Sequence, residues 1–164
     1  MANHAGKIGE PRSAPKTRRV VASTFVTQDG YMVGKNEDMS WVAEGFDRAM
    51  PNDIRDVLSK RTGAIVLGRV TYGIFASYWP HAKPYAEGEA VHPAEGREDP
   101  AIIHALNTVP KIVVSRTMKT AEWNNTRIVH DGLEDEVRGL KAQPGKDINI
   151  QGSASVVQAP RGPG

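Results

Sequence analysis

The sequence predicts an α/β domain built on a mainly parallel sheet flanked by helices. Two observations carry the prediction. Short apolar, β-branched runs alternate with segments whose apolar residues recur at i, i+3 and i+4. At three run ends a glycine or hydroxyl residue opens the next segment: Gly68-Arg69-Val70-Thr71, Ser115-Arg116-Thr117 and Gly152-Ser153. That pattern belongs to parallel strands leading into helices, whose carboxyl ends are where open α/β sheets bind ligands.

Val20 to Val26 reads as a buried first strand, and Gln28-Asp29-Gly30 as the turn after it. Residues 35–50 are polar around Trp41 and Phe46 and read as a long loop. Pro51-Asn52-Asp53 opens a helix with Ile54, Val57 and Leu58 on one face; Gly63 ends it. Strand 64–67 follows, then a helix from about Val70 to Tyr78 that stops at Trp79-Pro80. Residues 81–100, rich in proline, glycine and acids, read as a surface excursion. A short helix over 101–106 leads to strand 111–115, and strand 127–130 closes at Asp131-Gly132. Leu133, Val137 and Leu140 hold helical spacing, residues 147–151 form a further strand, and Gly152-Ser153 opens one more helix.

Composition bounds the function. The 164 residues fit one domain, expected over 20–159, with an irregular end at 160–164. There is no cysteine, so thiolate metal sites and cysteine nucleophiles are excluded. The histidines His4, His81, His92, His104 and His130 show no ligand spacing, and no metal is expected. No Gly-x-Ser-x-Gly elbow supports a hydrolase. No apolar run reaches membrane-span length and no secretory signal core is present, so a cytoplasmic protein without a membrane partner is expected. The pI near 8.9 comes from residues 1–19, where Lys7, Arg12, Lys16, Arg18 and Arg19 face only Glu10. These residues read as a disordered basic tail, and the rest of the chain is net acidic. No aromatic residue interleaves those charges, so a single-strand stacking platform is not expected; an arm for nucleic acid or a membrane surface is the alternative reading of the tail, and nucleic acid is not the expected partner.

The three strand ends suit a ligand with several phosphates. Gly68 and Gly152 allow close backbone approach, two helix N-termini offer N–H groups, and Arg69, Thr71, Ser115, Arg116 and Ser153 add donors. Each motif also has a plain reading, as a turn glycine or a surface arginine; their shared position is what points to a site.

These segments resemble the dihydrofolate reductase-like superfamily, specifically bacterial reductases similar to the C-terminal domain of the riboflavin-biosynthesis deaminase–reductase. The resemblance lies in Ser23–Gly34, Leu67–Tyr72, Val109–Thr117 and Asp147–Val157, in that order along most of 20–159. It implies an NADPH-dependent reductase. Gly68, Arg69 and Thr71 would meet cofactor phosphates, and Ser115 and Arg116 the adenosine ribose with its 2′-phosphate. Gly152 and Ser153 would cradle the pyrophosphate. A guanidinium at Arg116, in place of an acid on the ribose, agrees with NADPH. Pro51-Asn52-Asp53-Ile54 resembles the segment that holds the pteridine ring in dihydrofolate reductases, making Asp53 the candidate substrate or proton-relay residue. Helix capping is its alternative role. The implied substrate is a small pyrimidine- or pterin-like heterocycle, with 5-amino-6-(5-phosphoribosylamino)uracil as the family precedent.

The resemblance breaks at the end of the chain. Where relatives continue the last helix and add strands that complete the sheet and often the dimer, this sequence has Pro160-Arg161-Gly162-Pro163-Gly164. The expectation is a truncated sheet lacking its C-terminal strands, marginal and prone to association, with a homodimer left open. The alternative function is a non-catalytic nucleotide-binding or interaction protein.

Overall fold

Strand β2, Thr62–Gly68, lies at the centre of the domain: Ile65, Val66 and Leu67 are almost completely buried because helices cover both faces of the sheet. The computed structural model describes residues 17–32, 34–35, 54–86, 97–152 and 154–157. The remaining strands of the main sheet are β1 (Val20–Ser23), β5 (Lys111–Val114), β6 (Thr126–Val129) and β7 (Asp147–Gln151). Their order is β1-β7-β2-β5-β6, and every pairing is parallel. A two-stranded parallel ladder, β3 (Lys83–Pro84) with β4 (Arg97–Glu98), forms inside the expected surface excursion.

Side-chain alternation along β2 divides the core. Ile65 and Leu67 pack with Leu58, Tyr72, Ile102, Leu106, Val113 and Trp123 on one face. Val66 points the other way, with Ile112, Leu140, Ile148 and Val156. The first face is covered by the π-helix Asp56–Arg61 and by helices α1 (Arg69–Tyr78) and α2 (Pro100–Thr108). The second is covered by α3 (Leu133–Ala142) and α4 (Ala154–Val157). The expected parallel sheet flanked by helices is therefore what forms.

Four details differ from the sequence reading. Strand β1 stops at Ser23 and alternates between exposed and half-buried residues. Among the described strands it pairs only with β7, so its outer side is not packed between neighbours. Gly63 does not end a helix; it lies within β2 at a register shift. A Cβ there would sit 2.9 Å from Lys146 Cβ and 3.0 Å from Arg18 Nη2, so only glycine fits without displacement. The preceding helix is α-helical only at Ile54–Arg55 and then winds as a π-helix. Its wide turn closes when the Thr62 N–H and hydroxyl both donate to the Val57 carbonyl, the hydroxyl at 2.8 Å. Finally, the folded part begins before residue 20. Arg18 is buried and its Nε donates to the Lys146 carbonyl, while Arg19 forms a two-point pair with Asp147 at 3.1 and 2.6 Å. Trp41, Phe46 and most of the expected loop at 35–50 lie outside the described residues.

Helix α2 is longer than the expected 101–106 because it has a complete start signal. Asp99 caps it, its Oδ1 accepting from the Ala101 N–H at 2.7 Å, and Pro100 occupies the first turn. At the other end, the fully buried Lys111 donates to the carbonyls of Leu106 (2.8 Å) and Val109 (3.0 Å). Its ammonium lies 4.3 Å from the Trp123 ring centroid. Among the described residues no helix is long and apolar enough to cross a membrane.

Candidate functional site

Parallel pairing brings the predicted strand ends into one row. Ser23 is registered with Gln151, Gln151 with Leu67, and Gly68 with Val114. Gly68, Ser115 and Gly152 therefore emerge side by side at the carboxyl edge of the sheet. Gly152 turns there with φ +58, and its N–H donates to the Ser23 carbonyl at 2.9 Å. A Cβ on Gly152 would lie 3.4 Å from both Cγ2 and Oγ1 of Thr71, so the first turn of α1 packs directly against this glycine.

Gly68 is the N-cap of α1 and supplies no capping side chain; the first turn holds no acid. Its N–H groups and the helix dipole favour an anion in front of them. Arg69 and Arg116 are both exposed at this edge. The Arg116 Nε lies 3.5 Å from Asp131 Oδ1, with both side chains more than four-fifths exposed, so solvent leaves this pair little strength. The guanidinium retains terminal N–H groups for a phosphate, and Asp131 is an acidic neighbour that such a phosphate would meet.

Ser115 has a structural task first. It is buried, and its Oγ accepts from the N–H groups of Thr117 (3.3 Å) and Met118 (3.0 Å), shaping the turn after β5. His130, which the sequence reading considered only as a metal ligand, lies beside it. Its Nδ1 donates to the Ser115 carbonyl at 2.7 Å, fixing the ring against the same turn. Its only sequence signal was its place as the last residue of the predicted strand 127–130; in the structure it follows the end of β6. Asp53 and Ser153 lie outside the described residues. Thus Gly68, Arg69, Thr71, Ser115, Arg116 and Gly152 share one edge of the sheet, and no position is assigned to the other two.

A cavity of about 330 Å³ opens beside this edge, lined by Ser23, Phe25, Ile54, Val57, Leu58 and Gln151. Ile54, the residue after Asp53, thus forms part of its wall. A larger cleft of about 710 Å³ lies between α1 and the segment after β5, lined by Tyr72, His81, Asn107 and Trp123 among others. Several of its inner polar groups already bond one another. Trp123 Nε1 donates to Asn107 Oδ1 at 2.7 Å, Asn107 Nδ2 donates to the Trp79 and Ile103 carbonyls, and the Trp123 N–H donates to the Tyr72 hydroxyl. Volume alone would choose this cleft, whereas free hydrogen-bonding capacity chooses the smaller cavity. Among the described residues, no three acidic or histidine side chains are grouped to hold a metal ion.

Comparison with known proteins agrees with this architecture. Residues 18–159 match the profile of the family described as the RibD C-terminal domain. The chain is 28% identical over 142 residues to the uncharacterized protein YyaP of Bacillus subtilis (strain 168), covering 87% of this chain and 66% of that protein. Among solved structures it is similar to a putative riboflavin biosynthesis protein from Shewanella sp. PV-4. That match has a TM-score of 0.50 and 18% identity, over 85% of this chain and 67% of the other. It also matches dihydrofolate reductase from Enterococcus faecalis complexed with NADP(H) and RAB-propyl, at a TM-score of 0.43 and 14% identity, covering 87% and 62%. This chain spans about two thirds of the length of its curated relative.

Proposed function

We propose a function from a fact of kinship: this chain belongs to the RibD C-terminal domain family. The family is of reductase type, and our reading is NADPH-dependent reduction of a small pyrimidine- or pterin-like substrate. The single observation that supports it most is the meeting of three strand ends beside a cavity. There the α1 N-terminus lacks a side-chain cap, Gly152 leaves an open turn against Thr71, and Arg69 and Arg116 are exposed.

These residues fit the cofactor. The N–H groups of the first α1 turn, Thr71 and the Gly152 turn would bind the pyrophosphate, with Ser153 extending that turn. Arg69 and Arg116 would add charge-assisted bonds, Arg116 at the 2′-phosphate beside the Ser115 turn. NADPH, when bound, supplies the hydride. The chain would orient the ring in the cavity between Ile54, Val57 and Leu58 and the strand ends, excluding water from the reacting face. We assign Asp53 to the substrate's polar edge or to the accompanying proton. We further propose a cytoplasmic protein with no nucleic-acid partner.

Asp131 favours a second reading, since an acid near the ribose suits the free 2′-hydroxyl of NADH. Thermal unfolding of the purified chain with each nucleotide separates the two. Saturation at about 100 times the dissociation constant adds roughly 2.7 kcal/mol, or about 5–10 °C for a domain of this size. We expect the rise with NADPH, a smaller one with NADH, and loss of the difference in Arg116→Ala. A larger rise with NADH would reverse the cofactor assignment. A cooperative transition unmoved by either nucleotide would favour a non-catalytic interaction protein. Oxidation of NADPH against a panel of pyrimidines and pterins then tests turnover, with Asp53→Asn expected to lower it at least tenfold.

A further inference from the structure

We propose that Gln151 determines specificity in the 330 Å³ cavity, and that the ring it selects is a flat heteroaromatic presenting a lactam edge, an N–H beside a C=O. This inference rests on the reductase reading and narrows it to a substrate class.

The argument begins with a row of side chains across the sheet. Ser23, Gln151, Leu67 and Val113 stand next to one another in β1, β7, β2 and β5. Leu67 and Val113 are completely buried in the core beneath the helices. The same row becomes polar only where it runs under the cavity. Gln151 keeps 9% exposure and lines the cavity with Ser23, yet neither side chain hydrogen-bonds another described residue. The carboxamide therefore keeps its donor and acceptor for whatever fills the cavity, where an apolar residue would pack better against Leu67. One pleat further from the cavity, Asn149 is sealed in at 1% exposure: its Nδ2 reaches Thr62 Oγ1 at 3.4 Å beneath the π-helix and its Oδ1 has no partner among the described residues, whereas the Gln151 side chain opens on the cavity.

The surroundings define what would satisfy Gln151. Ile54, Val57, Leu58 and Phe25 give the cavity apolar walls, and its volume is at the small end of ligand pockets, suited to one or two fused rings rather than to a dinucleotide. A carboxamide presents one acceptor and one donor in a plane. It therefore pairs at two points with a lactam, Oε1 accepting from the ring N–H and Nε2 donating to the ring carbonyl. Ser23 supplies one further hydroxyl at the same edge. Gly152 holds the arrangement, because its N–H bond to the Ser23 carbonyl locks the ends of β1 and β7 together.

The test compares the unmodified chain with Gln151→Glu and Gln151→Met, by calorimetric titration of 5,6-diaminouracil and 2,4,6-triaminopyrimidine in the presence of NADPH. The first probe presents lactam edges; the second presents amino donors. We expect the lactam probe to bind the unmodified chain preferentially and to weaken about tenfold in both variants. A carboxylate only accepts, so Gln151→Glu should bind the triamino probe more tightly and invert the preference, whereas Gln151→Met should not. A merely structural role would weaken both probes together. NADPH affinity, titrated separately, should stay within about twofold. An unchanged probe ratio with NADPH binding intact overturns the role of Gln151 and leaves the reductase reading standing. NADPH binding with neither probe bound overturns the lactam class, and no binding of NADPH or probes overturns both readings. If Gln151→Glu does not fold, Gln151→Met and Ser23→Ala carry the comparison: selective loss of the lactam probe supports the assignment, and equal loss of both overturns it.

Discussion

Two glycines show how much a single Cβ decides. Gly63 is enclosed by Lys146 and Arg18, with a Cβ approach of 2.9 Å to a side-chain carbon and 3.1 Å to backbone nitrogen. Gly63→Ala should therefore destabilise the chain by about 1–3 kcal/mol, read as a lower urea midpoint with an unchanged slope. Gly152 carries a different constraint, a left-handed φ of +58 with 3.4 Å contacts to Thr71. Gly152→Ala should cost about 1–2 kcal/mol of stability and also weaken NADPH binding, whereas Gly63→Ala should leave affinity unchanged in the folded fraction. The sequence marked Gly152 because it follows a β-branched run and precedes a helix. It misplaced Gly63, because the reason for that glycine is two side chains 45 and 83 positions away. Gln151 was hidden similarly: a polar residue ending a strand reads as solvent-facing until the row beneath the cavity is seen.

Elements whose reasons are local were legible. Asp147–Gln151 forms with the bounds its apolar pattern predicts, and β2, β5, β6 and α3 lie within one or two residues of expectation. The π-helix was not legible, since i, i+3, i+4 spacing is nearly common to both helix types and the wide turn depends on Thr62. Asp99-Pro100 was a readable start signal for α2, but its reach was not. The Asp99 Oδ2 also accepts from the Tyr85 hydroxyl at 2.9 Å and pairs with Arg55 Nε at 2.8 Å, joining the β3–β4 ladder, α2 and the helix that walls the cavity. Removing all three partners at once in Asp99→Ala should cost about 2–3 kcal/mol in denaturant midpoints. Asp99→Asn, which keeps the helix cap, should lose roughly half as much. A cost confined to the capping contribution would show that the link to Arg55 does not stabilise the fold.

At the scale of the whole molecule, the buried and paired charges set a pH profile with predictable signs. The Arg19 guanidinium, bonded to Asp147, holds that carboxyl below its ordinary range, with Arg61 adding to the effect. A depressed carboxyl stabilises the fold above its unfolded pKa, and that contribution disappears as pH falls through the lower folded value. Glu98 acts oppositely in the acid range, because burial raises its pKa, so Asp147→Asn is the variant that isolates the Arg19 anchor. On the alkaline side, burial lowers Lys111 from 10.5 to about 8. Between those values the unfolded chain binds more protons than the folded one, so this group makes stability rise with pH. Tyr78, exposed as a residue but with its hydroxyl partly desolvated and bonded to Glu98, is held above its ordinary value of 10.0. Above that point the unfolded chain releases the tyrosine proton first, and stability falls. Urea unfolding from pH 3 to pH 11 should therefore show a maximum on the alkaline side of neutrality, near pH 9–10. Lys111→Met removes the titrating ammonium while leaving two carbonyls at the α2 end without their donor. It should be less stable at pH 7 and lose the rise above pH 8. A variant retaining that rise would show that Lys111 is not its source.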